Sequence, residues 1–428
     1  MSRDVAERSP RQAPHAPRVA IVHDWLTGMR GGEKVLEAIC ALYPDAPVFT
    51  LVRVPGSVST QLESRRIRTS MLQRFPAAGR AYRQYLPFFP AIVECFDLDG
   101  FDLVISSSHC AAKSVIRAGR AVHVCYCHSP MRYAWDQFEA YFGPEQVGRL
   151  RHRIVKPVLA GLARWDRATA GRVDRYLANS RYVAGRIRRY YNRGSDVVYP
   201  PVDTAFYRPA DRREPDPSFL VVSALVPYKK VELAIEACRR AGVPLKVVGR
   251  GPEMARLQRL AGPATEFLGW QSDEEVRGFY QRAAAVLLPG VEDFGMVPVE
   301  AQACGTPVVA LGAGGANETV IDGQTGVLAA EATPDAFAAA LTRARTISFD
   351  ERFIREHALR FSRERFMSDF RRVVDDALQN RGSGLGARLV RRSPGEGGDS
   401  NEFATREADN AAARMPPGGN SATREAKQ

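Results

Sequence analysis

Short runs of aliphatic and β-branched residues recur along the chain, each followed by a longer segment of helical composition, and that alternation admits few folds. In the first half such runs stand at 19–23, 103–106, 121–125 and 197–199. In the second they stand at 219–223, 245–248, 266–268, 285–288 and 308–310. Strand, helix and strand in regular succession predict parallel sheets covered by helices on both faces. After the run at 219–223, Val231, Ala234, Ile235 and Cys238 recur at the spacing of one buried helix face. A chain of 428 residues exceeds what a single core usually serves, so the pattern reads as two doubly wound, Rossmann-like α/β domains facing each other across a cleft. The break falls at Tyr199-Pro200-Pro201-Val202-Asp203 and the polar, proline-containing stretch 209–217. No repeat of 20–50 residues is visible.

Composition narrows the partners. The net charge is +12, and the segment 380–428 holds eight basic against six acidic residues, so about +10 lies in residues 1–379. That excess points to an acidic partner: nucleic acid, an anionic membrane surface or a phosphorylated substrate. The tail from 380 has few large apolar residues and, like residues 1–16, is expected to be disordered. No apolar run is long enough to span a bilayer, and the first sixteen residues lack the apolar centre of a secretory signal. Seven cysteines, an odd number, suit buried reduced thiols, and the expected location is the cytoplasm.

Open parallel sheets bind ligands beyond the carboxyl ends of their strands, and four segments there carry polar chemistry. The first, His23 to Lys34, contains Gly28, Gly31 and Gly32 and opens a helix; it reads either as a phosphate cradle or as a flexible turn. The second runs from His123 to Trp135. His123, Cys125 and Cys127 share one strand face, either as zinc ligands or as buried core groups, with His128 to Arg132 as the functional end beyond. The third, Ser223 to Lys230, puts Lys229 and Lys230 at a helix start, where cations are badly placed unless an anion lies between them or both are solvated. The fourth, Gly290 to Pro307, sets Glu292, Asp293, Phe294 and Gly295 in a turn before a short helix that carries Glu300. Carboxylates beside exposed backbone N–H groups suit a polyhydroxylated ligand that also carries phosphate.

The stretch Glu292-Asp293-Phe294-Gly295-Met296-Val297-Pro298-Val299-Glu300-Ala301 resembles the signature of the retaining nucleotide-sugar glycosyltransferases of family four, which have the GT-B fold. Val248 to Pro252, Phe267 to Trp270, Gly312 to Glu318 and Phe361 to Phe366 extend the resemblance from about Arg18 to Leu378. The start His23-Asp24-Trp25-Leu26, the segment Cys127 to Tyr133 and Leu225 to Lys229 are most similar to the mannosyltransferase subgroup of bacterial surface-polysaccharide synthesis. The expected organisation is then an acceptor domain over 17–203, a nucleotide-sugar domain over 204–348, and C-terminal helices over 349–379 returning to the first domain. The resemblance implies that Glu300 accepts from the ribose hydroxyls and Glu292 holds donor-sugar hydroxyls, with Phe294 and Gly295 N–H groups on sugar or phosphate. Asp293 falls among the donor-binding residues. Lys229 and the Gly31–Gly32 loop flank the diphosphate, and His128 sits near donor sugar and acceptor hydroxyl. Many members have an arginine where this chain has Ala224, so Lys230 or Arg250 is expected to supply the missing charge.

The implied reaction moves a sugar, with mannose from GDP-mannose as the expected donor, to a hydroxyl of a glycan or polyprenyl-diphosphate-linked acceptor, with retention and without a metal or other cofactor. The alternative is a non-catalytic protein of the same fold that binds a sugar nucleotide or lipid phosphate. A nicotinamide oxidoreductase lacks support, since Gly249-Arg250-Gly251 is not followed by the third glycine of the dinucleotide fingerprint. Six arginines between Thr60 and Tyr85 and five between Arg181 and Arg193, interleaved with aromatic residues, suit an anionic membrane face or a solvated helix surface. No nucleic-acid-binding module accompanies them, and nucleic acid is not an expected partner.

Overall fold

The computed structural model describes residues 17–382, apart from 118, 139–141, 144–147 and 213 and the side chains of 381 and 382. Of the segments expected to be disordered, 1–16 and 383–428 lie outside the described residues, whereas 380–382 continue the last helix. Two parallel sheets organise the chain. The first has seven strands in the order β3-β2-β1-β4-β5-β6-β7, with β1 Val19–His23, β2 Val48–Thr50, β3 Ile67–Thr69, β4 Leu103–Ser108, β5 Val122–Cys127, β6 Arg175–Ala178 and β7 Asp196–Val197. The second has six in the order β10-β9-β8-β11-β12-β13, with β8 Phe219–Val222, β9 Leu245–Val248, β10 Thr265–Gly269, β11 Val286–Leu288, β12 Val308–Leu311 and β13 Gly326–Ala329. The principal helices are α1 Gly31–Leu42, α2 Arg149–Ala168, α3 Arg181–Tyr191, α4 Val231–Ala241, α5 Asp273–Arg282, α6 Met296–Ala303, α7 Pro334–Thr346, α8 Glu351–Leu359 and α9 Arg363–Gly382.

Successive side chains of a strand point to opposite faces, and both faces of each sheet are buried. In the first sheet Ala20, Val22 and Val104 enter one core while Ile21, Leu103, Ile105 and Val124 enter the other. The second sheet divides in the same way, with Phe219, Val221 and Val247 on one side and Leu220, Val248 and Val286 on the other. The amphipathic reading of α4 holds: Val231, Ala234, Ile235 and Cys238 are all buried.

The C-terminal helices behave differently from the expectation. Only α9 returns to the first sheet, burying Phe366, Phe370, Val373 and Val374 against Ile39, Leu36 and Tyr126. Helix α8 stays with the second domain, because Arg355 reaches the carbonyls of Tyr207, Ala303 and Thr204 and Ala358 is buried in that domain's core.

Strand order fixes where a ligand can sit. The order in which the strands are laid down reverses once in each sheet, between β1 and β4 in the first and between β8 and β11 in the second. The loops leaving those strands diverge to opposite sides of the sheet and open a crevice at its carboxyl edge. The two reversals deliver the loops 24–30 and 109–112 from one domain and 223–230 and 289–295 from the other.

In β5, His123 is fully buried, with Nε2 at 2.8 Å from the Ser106 hydroxyl and Nδ1 at 3.2 Å from the Arg172 carbonyl. Both ring nitrogens are occupied, and Cys125 and Cys127 are buried free thiols packed with Tyr176 and Val183, so this face is core and not a metal centre. Burial pulls His123 down to about 3. The unfolded chain binds that proton below about pH 6.5, whereas the native chain refuses it, so stability is lost as pH falls from about 6.5 toward 3. Replacing His123 with Gln should flatten the urea-midpoint profile across that window by about one proton, or about 1.4 kcal/mol per pH unit. An unchanged slope would show that His123 is not the group responsible.

Candidate functional site

A cavity of about 430 Å³ lies at the meeting of the two strand reversals, lined from the first domain by Gly31, Gly32, His109, His128, Arg132 and Asn179 among others. Lys229, Glu292, Asp293, Phe294, Gly295 and Met296 line it from the second domain. Two helices begin there, α1 at Gly31 and α6 at Met296. The first N–H groups of a helix have no partner within it and carry its positive dipole end, so both starts aim positive potential into one space.

Close backbone approach builds the second-domain wall. A Cβ on Gly290 would lie 2.8 Å from the Tyr228 carbonyl oxygen and 3.1 Å from Lys229 Cα, so only glycine lets the end of β11 meet the Lys229 turn. Lys229 then reaches Glu292 directly as an ion pair. Likewise, a Cβ on Gly315 would stand 2.4 Å from Phe294 Cα, and Gly315 N–H donates to the Glu292 carbonyl at 2.8 Å. Phe294 is buried between Tyr199 and Phe361, which anchors the turn ahead of α6.

The structure brings most of the expected residues together: Gly31, Gly32, His128, Lys229, Glu292, Asp293, Phe294 and Gly295 all line the cavity. Three do not. Glu300 lies a turn deeper on α6, accepting from Tyr280 Oη at 3.1 Å and Lys34 Nζ at 3.3 Å across the cleft. Burial pushes the Lys34 ammonium down, but Glu300, with Asp273 and Asp203, outweighs it and holds Lys34 above its ordinary value. Lys230 takes a left-handed conformation (φ 51°) at the start of α4, and Arg250 is exposed at the end of β9. Neither lines the cavity, and Ala224 is exposed; Lys229 is the second-domain lysine at the wall.

Asp293 also departs from its expected part. Its carboxylate is held by Arg132, through Nε at 2.8 Å, and by Arg186 at 3.2 Å, both from the first domain, while its carbonyl accepts from Ser180 Oγ. It is an interdomain anchor, and that keeps its oxygens from acting as free acceptors for donor hydroxyls. Glu318 adds a second tie, accepting from the N–H groups of Arg181 and Tyr182 and from Tyr199 Oη.

On the first-domain side, Asp24 is not part of an anion cradle; it is itself the anion. Fully buried, it accepts from the N–H groups of His109, Cys110, Ala111 and Ala112 at 2.6–2.9 Å, pinning the turn after β4. Against this turn stand His23, His109 and His128, with successive ring centroids 6.1 Å apart. Burial pushes His128 well below its ordinary value, the nearby His109 and His23 adding to the effect, and desolvation lowers His109 despite Asp24. A neutral His128 near pH 7 offers a ring lone pair, not a cation. Ser107, His109, Asn179 and Arg186 were not singled out from sequence; the three serines and histidine that close β4, Ser106 to His109, were the available signal.

Residues 29–206 match the family model described as Glycosyltransferase Family 4, and residues 203–358 match the one described as Glycosyl transferases group 1. Together they cover about three quarters of the chain. A D-inositol 3-phosphate glycosyltransferase of Acidothermus cellulolyticus is 30% identical over 287 residues, 56% of this chain and 64% of that protein. One from Segniliparus rotundus is 36% identical over 190 residues, 38% of this chain and 42% of that protein. The chain thus spans less than two thirds of the length of these curated relatives. Among solved structures, the sucrose-phosphate synthase of Thermosynechococcus elongatus superposes with a TM-score of 0.66 at 18% identity, covering 85% of this chain and all of that one. Anabaena Alr3699/HepE in complex with UDP superposes at 0.60 and 18%, covering 84% of this chain and all of that one. At such identities the likeness establishes the fold, which is GT-B.

The Asp293 anchor has a measurable consequence. Removing one partner of a buried ion pair leaves the others desolvated without compensation, at a cost of about 3 kcal/mol. Asp293→Asn should lower unfolding stability by about that amount, and a combined Asp293→Leu, Arg186→Met variant should recover part of it in urea denaturation. Equal loss in both would argue against a strained charge left behind.

Proposed function

We propose that this chain, whose two domains place it among the GT-B glycosyltransferases of group 1 and family four, transfers a sugar from a nucleotide diphosphate sugar to a hydroxyl acceptor. The observation that carries this reading is the pairing of two helix starts around a cavity whose second-domain wall presents Lys229 and Glu292 side by side. The N–H groups of Gly31 and Gly32, those ahead of α6 and the Lys229 ammonium suit a diphosphate, stabilising the charge that gathers on it as it leaves. On this reading no metal is required, since these donors act where a divalent cation would. Glu292 accepts from donor-sugar hydroxyls, and Glu300, beside Tyr280 and Lys34, accepts from the ribose.

In the reaction the acceptor oxygen forms a bond to the anomeric carbon as that carbon's bond to the diphosphate oxygen breaks. The acceptor approaches the face from which the diphosphate leaves and passes its proton to a phosphate oxygen, so the anomeric configuration is retained. Glu292 orients the sugar and stabilises its developing positive charge without forming a covalent bond. The donor we assign is GDP-mannose and the acceptor a glycan or polyprenyl-diphosphate-linked glycan, on the subgroup resemblance of residues 23–26, 127–133 and 225–229. The relatives' own name, D-inositol 3-phosphate glycosyltransferase, supports a hydroxyl acceptor beside a phosphate, and the UDP in the Anabaena structure makes uridine donors the main competitors.

The acceptor side is proposed to face an anionic membrane from the cytoplasm. No helix among the described residues is long and apolar enough to cross one. On α2, Leu150 (74% exposed), Ile154 (59%) and Val158 form an exposed apolar stripe with Arg149, Arg151, Arg153 and Lys156 beside it. Met71 and Phe88 are exposed amid Arg66, Arg68, Arg74, Arg80 and Arg83. Apolar side chains that enter the headgroup layer with basic residues alongside suit peripheral binding.

Two sets of measurements check these proposals, the first on the donor and its transfer and the second on the membrane face. In a thermal-shift series of GDP- and UDP-sugars, with and without chelator, GDP-mannose should stabilise most, by about 2.7 kcal/mol at a hundredfold excess over its dissociation constant. Glu292→Gln should then slow transfer about 100-fold; near-normal turnover would remove its charge from the mechanism, and donor binding without transfer or hydrolysis would favour a binding protein. Second, the protein should co-sediment with anionic but not zwitterionic vesicles, losing the association in high salt and on Leu150→Glu with Ile154→Glu. Association that ignored lipid charge, salt and both substitutions would reject the membrane face.

A further inference from the structure

Four side chains form a line behind the cavity wall. Glu33, in the first turn of α1, accepts from Arg30 N–H through Oε2 at 3.0 Å and turns Oε1 toward His23 Nε2 at 3.8 Å. That nitrogen is buried and makes no hydrogen bond among the described residues. The other nitrogen of His23, Nδ1, lies 3.1 Å from Ser107 Oγ, and the same hydroxyl lies 2.8 Å from His128 Nε2. Gly32 backs onto both rings, a Cβ there falling within 3.9 Å of each.

With both imidazoles neutral, a hydroxyl between them donates to one and accepts from the other, so the line has two self-consistent proton arrangements. They differ in what His23 Nε2 shows to Glu33. In one it points an N–H at the carboxylate; in the other it points a lone pair, and two buried electron-rich atoms face each other without a proton. Burial pushes the Glu33 carboxyl up, but its contact with His23 and the nearby His109 together outweigh that and hold it below its ordinary value, ionised near neutrality. The first arrangement therefore prevails: His23 Nδ1 accepts from Ser107, and Ser107 accepts from His128.

We propose that Glu33, His23 and Ser107 are positioning residues that lock His128 as its Nε2–H tautomer and so present its Nδ1 lone pair to the cavity as a hydrogen-bond acceptor for a ligand hydroxyl. This rests on the reading of the cavity as a sugar-nucleotide site for the identity of that hydroxyl, whereas the tautomer follows from the line of contacts between neutral imidazoles and an ionised Glu33. A second consequence is selectivity. An acceptor fixed at that place rewards a hydroxyl and penalises a donor sugar lacking it, since the ring cannot turn over to offer N–H without breaking the line.

The test uses full-length protein with ¹⁵N-labelled histidine, the His128 signals being assigned by their loss in His128→Gln. Long-range ¹H–¹⁵N spectra should show a protonated Nε2 and an unprotonated Nδ1 for His128 in the wild-type chain. Glu33→Gln can turn an amide N–H toward His23 and should shift His128 toward the opposite tautomer, and Ser107→Ala should give a mixture. An Nδ1–H tautomer in the wild type, or one unmoved by both variants, overturns the proposal. If Ser107→Ala does not fold, the wild-type and Glu33→Gln spectra decide alone. Once a donor is identified, Glu33→Gln should weaken its binding about tenfold, and a deoxy-sugar donor should lose that difference. Should no sugar nucleotide bind while the spectra follow expectation, the functional reading fails and the proton arrangement stands.

Discussion

A buried carboxylate held between two guanidinium groups joins the two halves of this protein. Asp293 belongs to the turn that ends β11, whereas Arg132 and Arg186 belong to the first domain. Burying three charges is costly unless each is paired, and here Asp136 takes another edge of Arg186, so the cluster closes with two acids and two bases. Its worth lies less in stability than in placement. The neighbour of Asp293 in sequence is Glu292, so the interaction that registers the domains also fixes the second-domain carboxylate opposite the start of α1. A hydrophobic contact of equal energy would hold the halves together without specifying that register.

Much of the fold was legible because each domain repeats one physical pattern. Strands buried on both faces read as continuous apolar runs, and β1 and β9 appear in sequence at their true bounds. The missed strands explain themselves. β2 and β3 have three residues each, β3 and β6 carry arginine within the strand, and β13 opens on Gly326 because a Cβ there would strike the Val308 carbonyl. None of these presents an apolar run long enough to register.

The site was legible where its chemistry is local and opaque where it depends on strand order. Glu292, Lys229 and the Gly31–Gly32 loop follow strands directly and announce themselves by composition. Ser107, His109 and Asn179 become neighbours of His128 only because β4, β5 and β6 lie side by side, which no local spacing reveals. The same limit applies to charge. Sequence showed arginine-rich stretches at 60–85 and 181–193 as uniform surfaces, yet Arg65 caps the carbonyls of Tyr43 and Ala46, Arg186 is buried in the anchor and Arg193 binds the Val173 carbonyl. What remains for a partner is the exposed remainder, together with the stripe on α2.

The two glutamates expected to hold the donor already have a cation: Glu292 has Lys229 from its own domain and Glu300 has Lys34 from the other. A nucleotide diphosphate sugar would bring negative phosphate to the lysines and hydroxyl donors to the carboxylates. Each ion pair is thereby exchanged for two ligand contacts of the matching kind, and no carboxylate is left facing a phosphate. The exchange is nearly neutral in charge separation, so affinity depends on geometry: the spacing between the two pairs must match the distance from ribose to sugar. A free phosphate or a bare sugar satisfies only half of it and leaves one lysine or one carboxylate without its partner. On the proposed reading the paired cations would thus act as a filter favouring a ligand with hydroxyls at both ends of a diphosphate, which is the chemistry of a sugar nucleotide.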